Sequence, residues 1–167
     1  MASWSEIERE APELAATARG FLDARRHLTL ATLRRDGSPR ISGTEVRFMD
    51  GDAWLGSMWR AMKALDLRRD PRFALHSGSD DPPEWKGDAK LSGRAREVDD
   101  EERKARIRSE EDGSEEESGS ESESAGQFHL FRLDIEELSV VRLGDPGDHL
   151  VIESWHPGRG VTRLTRD

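Results

Sequence analysis

The first apolar pattern along the chain has helical spacing. Ile7, Ala11, Leu14, Ala18 and Phe21 recur every three or four residues, which marks one face of an amphipathic helix. Pro12 suits its first turn, where a missing N–H costs nothing. Arg25 and Arg26 suit its end, where cations meet the negative pole of the helix dipole. The period then drops to two. Residues 27–35 read as a strand with Leu28 and Leu30 on one face and Ala31 and Leu33 on the other, and so as a strand covered on both sides. Asp36-Gly37 is a hairpin turn signal. Residues 40–49 form the second strand, with Thr44, Val46 and Phe48 opposite Glu45 and Arg47. Asp50-Gly51 is a second turn and residues 53–57 a third strand. An antiparallel meander is expected.

Helical spacing returns at Met58, Ala61, Met62 and Leu65, predicting a helix over 59–69 capped by Ser57 and ended by Asp70-Pro71. Strands over 72–76 and 88–98 flank a loop with Pro82-Pro83, and a helix capped by Asp99 runs to about residue 108. Residues 128–134, 138–143, 150–155 and 161–164 read as further strands. The sum predicts a mainly β fold: an antiparallel barrel with two or three peripheral helices, in one domain over 1–167.

Composition changes this picture in one place. Apolar residues make up 34% and charged residues 37%, a balance close to that of disordered chains. The charge is concentrated, however. Residues 109–124, SEEDGSEEESGSESES, include eight acidic side chains, so the rest of this −9 chain is almost neutral. The run is expected to be a disordered insertion. The acidic balance argues against nonspecific nucleic-acid binding, which needs a basic surface. With no cysteine, disulfides and thiolate metal sites are excluded. The opening MASWSEIEREAPEL lacks a basic stretch followed by an apolar run, so neither a signal peptide nor a lipid anchor is expected. No apolar stretch nears the roughly 20 residues of a membrane span. A soluble cytoplasmic protein is the expectation.

Candidate chemistry gathers where the third strand meets the helix. Lys63 falls in the first turn or so, Arg60 one turn earlier, and Ser57 at the strand end. Helix amides, a hydroxyl and two cations suit a phosphate. The same residues also fit a solvated helix face with Ser57 merely capping. Arg68, Arg69 and Arg72, around Asp70, read as structural cations. Glu45 and Arg47 face a ligand, a second subunit or solvent. The histidines, at 27, 76, 129, 149 and 156, lack the spacing of a metal site, and no GxSxG, P-loop or GxGxxG pattern occurs. The WHPGRG turn at 155–160 either covers a ligand or holds a packed tryptophan.

Taken in order, HLTLATLRRDGSPRI, MKALDLRRDPRFAL, AKLSGRAREV and the closing FHLFRLDIEELSVVRL…LVIESWHPGRG resemble pyridoxamine 5'-phosphate oxidase-like proteins, over roughly residues 13–108 and 128–163. The resemblance implies a split-barrel homodimer that binds FMN, or a 5-deazaflavin coenzyme, between subunits. By that likeness Ser42, Gly43, Thr44 and Glu45 line the ring, Ser57, Arg60 and Lys63 hold the phosphate, and Arg47 is the basic residue at the strand end. The implied function is hydride transfer with a small-molecule substrate, and the alternative is a non-catalytic flavin or deazaflavin carrier. Met62 stands where an arginine is common and Asp66 where an asparagine is. The C-terminal arginine-and-tryptophan pattern for vitamin B6 is not matched, so that substrate is not implied.

Overall fold

The computed structural model describes residues 1–112 and 128–167. The N-terminal apolar pattern folds as two helices, α1 (Trp4–Glu10) and α2 (Pro12–Asp23), where the spacing predicted one. Ala11 breaks it, with φ −143° and ψ 60°, and Pro12 opens α2. Ser3 starts α1 with a reciprocal cap: its Oγ accepts from the Glu6 N–H, and Glu6 Oε2 accepts from the Ser3 N–H at 2.7 Å. Trp4, Ile7, Leu14, Ala15, Ala18 and Leu22 then sink into the main core.

Nine described strands follow, with α3 and α4 bringing the described helices to four rather than two or three: β1 (Leu28–Leu33), β2 (Pro39–Thr44), β3 (Val46–Met49), β4 (Asp52–Met58), α3 (Met62–Arg69), β5 (Arg72–His76), β6 (Gly87–Glu97), α4 (Glu101–Asp112), β7 (Phe128–Leu143), β8 (Leu150–His156) and β9 (Gly160–Arg166). All pairings are antiparallel, in the order β2-β1-β5-β6-β7-β4-β3, with β8 on β7 and β9 on β8. Both hairpins of the expected meander are present, but its middle strand is divided at Glu45, so that each half pairs with a different neighbour. β2 pairs with β1, and β3 pairs with β4 at the far end of the sheet. Yet only Glu45 separates β2 from β3 in the chain. Two ends of the sheet joined by one residue must meet at that residue, because consecutive Cα atoms are about 3.8 Å apart. The sheet thus curls into a barrel that no hydrogen-bonded ladder closes. This is a mainly antiparallel split barrel, the fold class expected.

β7 is one strand where the sequence suggested two. It pairs with β4 over its first half, with β8 over its last residues, and with β6 throughout most of its length. Ser92 faces Glu137 while Gly93 faces Ile135, so Glu136 is an extra, exposed residue. This bulge shifts the inward phase from Phe131, Leu133 and Ile135 to Leu138 and Val140, all fully buried. The phase change reads as a break in sequence. Trp155 is wholly buried and its Nε1 donates to Glu10 Oε2 at 3.1 Å. Of the two readings of the 155–160 turn, the packed tryptophan is the one observed.

Two expected caps move. The predicted helix over 59–69 begins only at Met62, because Arg60 takes a left-handed φ of 59° and Ala61 becomes the N-cap, with no side-chain cap bond. Ser57 remains in β4. The late start rotates the helix, which buries Ala64, Asp66 and Leu67 and leaves Met58 and Met62 exposed. At α4, Asp100 rather than Asp99 is the cap, its Oδ1 accepting from the Arg103 N–H at 2.9 Å. α4 covers the outer side of β4 and β7 through Ile107, which packs with Trp54 and Leu130. Its backbone runs on to Asp112, into the first residues of the acidic run. The rest of the insertion expected to be disordered, residues 113–124, lies outside the described residues.

Candidate functional site

A cleft of about 370 Å³ opens where the barrel is split. Gly43, Thr44 and Glu45 line it from the end of β2, and Gly56, Ser57 and Met58 from the end of β4. Lys63 comes from the first turn of α3, Arg26 and His27 from the approach to β1, and Phe128 from the start of β7. A Cβ at Gly56 would run into the Phe128 ring. At Gly43, by contrast, a Cβ would meet nothing within 4 Å, so β2 presents bare backbone with room above it.

The cleft's charges are arranged rather than scattered. Glu45 occupies the junction of β2 and β3. Its Oε1 accepts from Arg26 Nε at 2.7 Å and its Oε2 from the Arg47 guanidinium at 2.9 Å. The carboxylate is thereby committed to two cations and fixes the chain where the barrel divides. Lys63 Nζ donates to the Gly43 carbonyl at 2.7 Å, tying α3 to the end of β2. Ser57 is 3% exposed, and its Oγ has no hydrogen-bond partner among the described residues. A buried hydroxyl left unsatisfied costs of the order of 1–3 kcal/mol. Lys63 lines the same cleft.

The placement of α3 depends on Asp66, which is 1% exposed on its buried face. Its carboxylate accepts from Thr32 Oγ1 at 3.0 Å, Arg40 Nε at 2.6 Å and the Arg69 guanidinium at 3.0 Å. Burial alone would raise its pKa, but the hydrogen bonds from Arg40, Arg69 and Thr32 outweigh that and hold it below the usual carboxylate value. Asp66 thus joins α3 to β1 and β2.

Of the residues singled out from sequence, Gly43, Thr44, Glu45, Ser57 and Lys63 converge on the cleft. Ser42 lies one residue back along β2. Arg47 contributes through Glu45. Arg60 is exposed on the turn before α3, outside the lining. Arg26, His27, Gly56, Met58 and Phe128 complete the wall, and nothing in the sequence marked them for a site. Among the described residues no group of three or more His, Cys, Asp or Glu side chains could hold a metal ion.

The model of the pyridoxamine 5'-phosphate oxidase family matches residues 14–142, which contain every residue of the cleft. The chain belongs to this family. Solved structures share the family fold. PhzG from Burkholderia lata 383, in complex with tetrahydrophenazine-1-carboxylic acid, is 13% identical with a TM-score of 0.63, over 96% of this chain and 91% of that one. A pyridoxamine 5'-phosphate oxidase-related, FMN-binding protein from Nostoc punctiforme PCC 73102 is 16% identical with a TM-score of 0.59, over 91% and 94%. An F420 reductase is 16% identical with a TM-score of 0.55, over 72% and 94%. At such identities the likeness is one of fold. No curated protein sequence matches the chain. No described helix is long and apolar enough to cross a membrane.

Proposed function

We propose that the chain is an oxidoreductase that holds FMN, or a 5-deazaflavin coenzyme, in the cleft and acts on a small molecule. The observation that carries this reading is the buried Ser57 hydroxyl, without a hydrogen-bond partner among the described residues, in the cleft that Lys63 also lines. The donor set fits a phosphate ester: one hydroxyl donor, one ammonium, and the first turn of a helix, in a cleft with a bare backbone wall at Gly43. Two relatives in fold are, by name, an FMN-binding protein and an F420 reductase, which supports a ligand of that class.

In this reading Ser57 and Lys63 bind the phosphate, with Arg60 adding a cation at the rim. Ser42, Gly43, Thr44 and Glu45 lie along the ring. Such a cofactor, when bound, supplies the hydride chemistry itself. The chain's own part is to bind, orient and exclude water. Arg26 and Arg47 keep the Glu45 carboxylate occupied, so it serves as a fixed wall rather than a base.

The proposal includes a homodimer. The sequence pattern of β1 calls for cover on both faces, but Ala31 and Leu33 on its outer face are only half-buried and Ile41 on β2 is 74% exposed. Beside them runs an apolar groove of about 380 Å³, lined by Thr29, Ala31, Ile41, Ala74, Leu75 and Leu91 among others. A second copy of the chain is the proposed cover.

The test is the purified full-length chain. A yellow protein absorbing near roughly 450 nm that bleaches with a reductant supports an FMN oxidoreductase, and tight binding of a 5-deazaflavin coenzyme supports the other cofactor. Binding without reduction would leave a carrier. A chain that binds neither ligand overturns the proposal.

A further inference from the structure

His129, the second residue of β7, is 1% exposed and has both ring nitrogens engaged. The Arg60 backbone N–H points at its Nε2, 3.2 Å away. An amide N–H can only donate, so Nε2 accepts, and the neutral ring carries its proton on Nδ1. That proton is donated to Glu97 Oε1 at 2.6 Å. Glu97, on β6, is held in turn by Arg68 of α3 at 2.9 Å. The Trp59 indole stacks on the imidazole, with centroids 4.8 Å apart and planes at 11°. His129 is also the direct cross-strand partner of Ser57.

These contacts converge on one segment. Arg60 is a non-glycine residue in the left-handed region, a strained conformation that persists only where its surroundings hold it. The His129 acceptor and the Trp59 stack are those surroundings. Through Arg60 the imidazole grips α3 just before its first turn, and through Glu97 and Arg68 it grips the last turn. We infer that His129 is a positioning residue for the anion site: it fixes the 59–61 turn, and with it the first turn of α3 and Lys63, relative to Ser57. The inference rests on the phosphate reading given above. No spacing in the sequence points to it, and His129 is not among the residues that line the cleft.

The test separates phosphate binding from ring binding and from folding. His129→Phe keeps an aromatic partner for Trp59 but removes the acceptor. His129→Gln supplies an acceptor near the position of Nε2. FMN and riboflavin, which lacks the phosphate, are titrated into the full-length chain and both variants. His129→Phe should lose about tenfold in FMN affinity, the equivalent of one charge-free contact or slightly more. Its riboflavin affinity should stay within about twofold, and His129→Gln should recover most of the FMN loss. Unchanged FMN binding in His129→Phe, or equal losses for both ligands, overturns the inference. If the unmodified chain shows no preference for FMN over riboflavin, the phosphate reading itself fails and takes this inference with it. A selective FMN loss in Lys63→Ala but not in His129→Phe leaves the phosphate reading standing and removes His129 alone.

Discussion

The Lys63 ammonium, on the second residue of α3, donates to the Gly43 carbonyl at the end of β2, 2.7 Å away. The two residues are 20 positions apart and belong to elements that share no ladder. This contact holds the cation at the mouth of the split, where a phosphate would compete with the carbonyl for it.

Lys63→Ala should therefore weaken FMN binding roughly 10- to 100-fold, since a charge-assisted phosphate contact contributes about 1.5–3 kcal/mol. Riboflavin should lose far less. Isothermal titration with both ligands checks this. Equal losses would place the lysine's effect on the fold or the ring instead.

Ser57→Ala should act in opposite directions on the two states. In the ligand-free chain it removes a buried hydroxyl without a partner among the described residues, so the melting temperature should hold or rise by about 1–4 °C. FMN affinity should fall about fivefold or more. Thermal unfolding with and without FMN reads both effects. A clear loss of stability in the ligand-free variant would mean the hydroxyl already has a partner.

Asp66 should make the fold acid-sensitive. Its carboxyl titrates below the usual value in the folded chain, because the hydrogen bonds from Arg40, Arg69 and Thr32 outweigh the upward push of burial. A depressed folded pKa lends stability that is whole above the unfolded carboxyl's titration, near pH 3.9, and is lost as pH falls through the lower folded value. Asp66→Asn should cost about 1–3 kcal/mol at pH 7, or roughly 5 °C. It should also show a smaller further drop than the unmodified chain between pH 5 and pH 3. Calorimetry across that range is the measurement, and parallel curves would count against the assignment.

Ile41→Glu tests the proposed dimer. The side chain is 74% exposed beside the apolar groove of β1, β5 and β6. A charge there costs the folded monomer little but would be buried against a second copy. Sedimentation should find the unmodified chain as a dimer at micromolar concentration and the variant shifted towards monomer. A monomeric parent at about 19 kDa refutes the dimer.

The sequence located elements better than it located their partners. β5 was read to the residue because Pro71 bounds it on one side and a turn-rich loop on the other. Asp36-Gly37 and Asp50-Gly51 marked real turns, with Gly37 at φ 83° and both Asp50 and Gly51 at positive φ. The β2–β3 junction was missed because Glu45 has no breaker chemistry, and only the curl of the sheet demands a break there. α3 was rotated because a left-handed turn at an arginine leaves no mark of the kind glycine leaves. Half of the cleft was readable as the strand, hydroxyl and lysine of 43–63. Phe128 was not, because it arrives from a strand more than 60 residues later through the pairing of β4 with β7.

Among the described residues the outer edges of β2 and β3 have no strand beside them, and the two strands meet at Glu45. In most sheets such edges are a liability that must be blunted. Here the end of β2, from Gly43 to Glu45, borders the cleft, so on the proposed reading a flat ligand with donors and acceptors on its rim would meet main chain there as well as side chain. Recognition of that kind constrains where the backbone runs and leaves the residue types along it largely open. A binding site can then be well defined in space while its motif in the sequence stays faint.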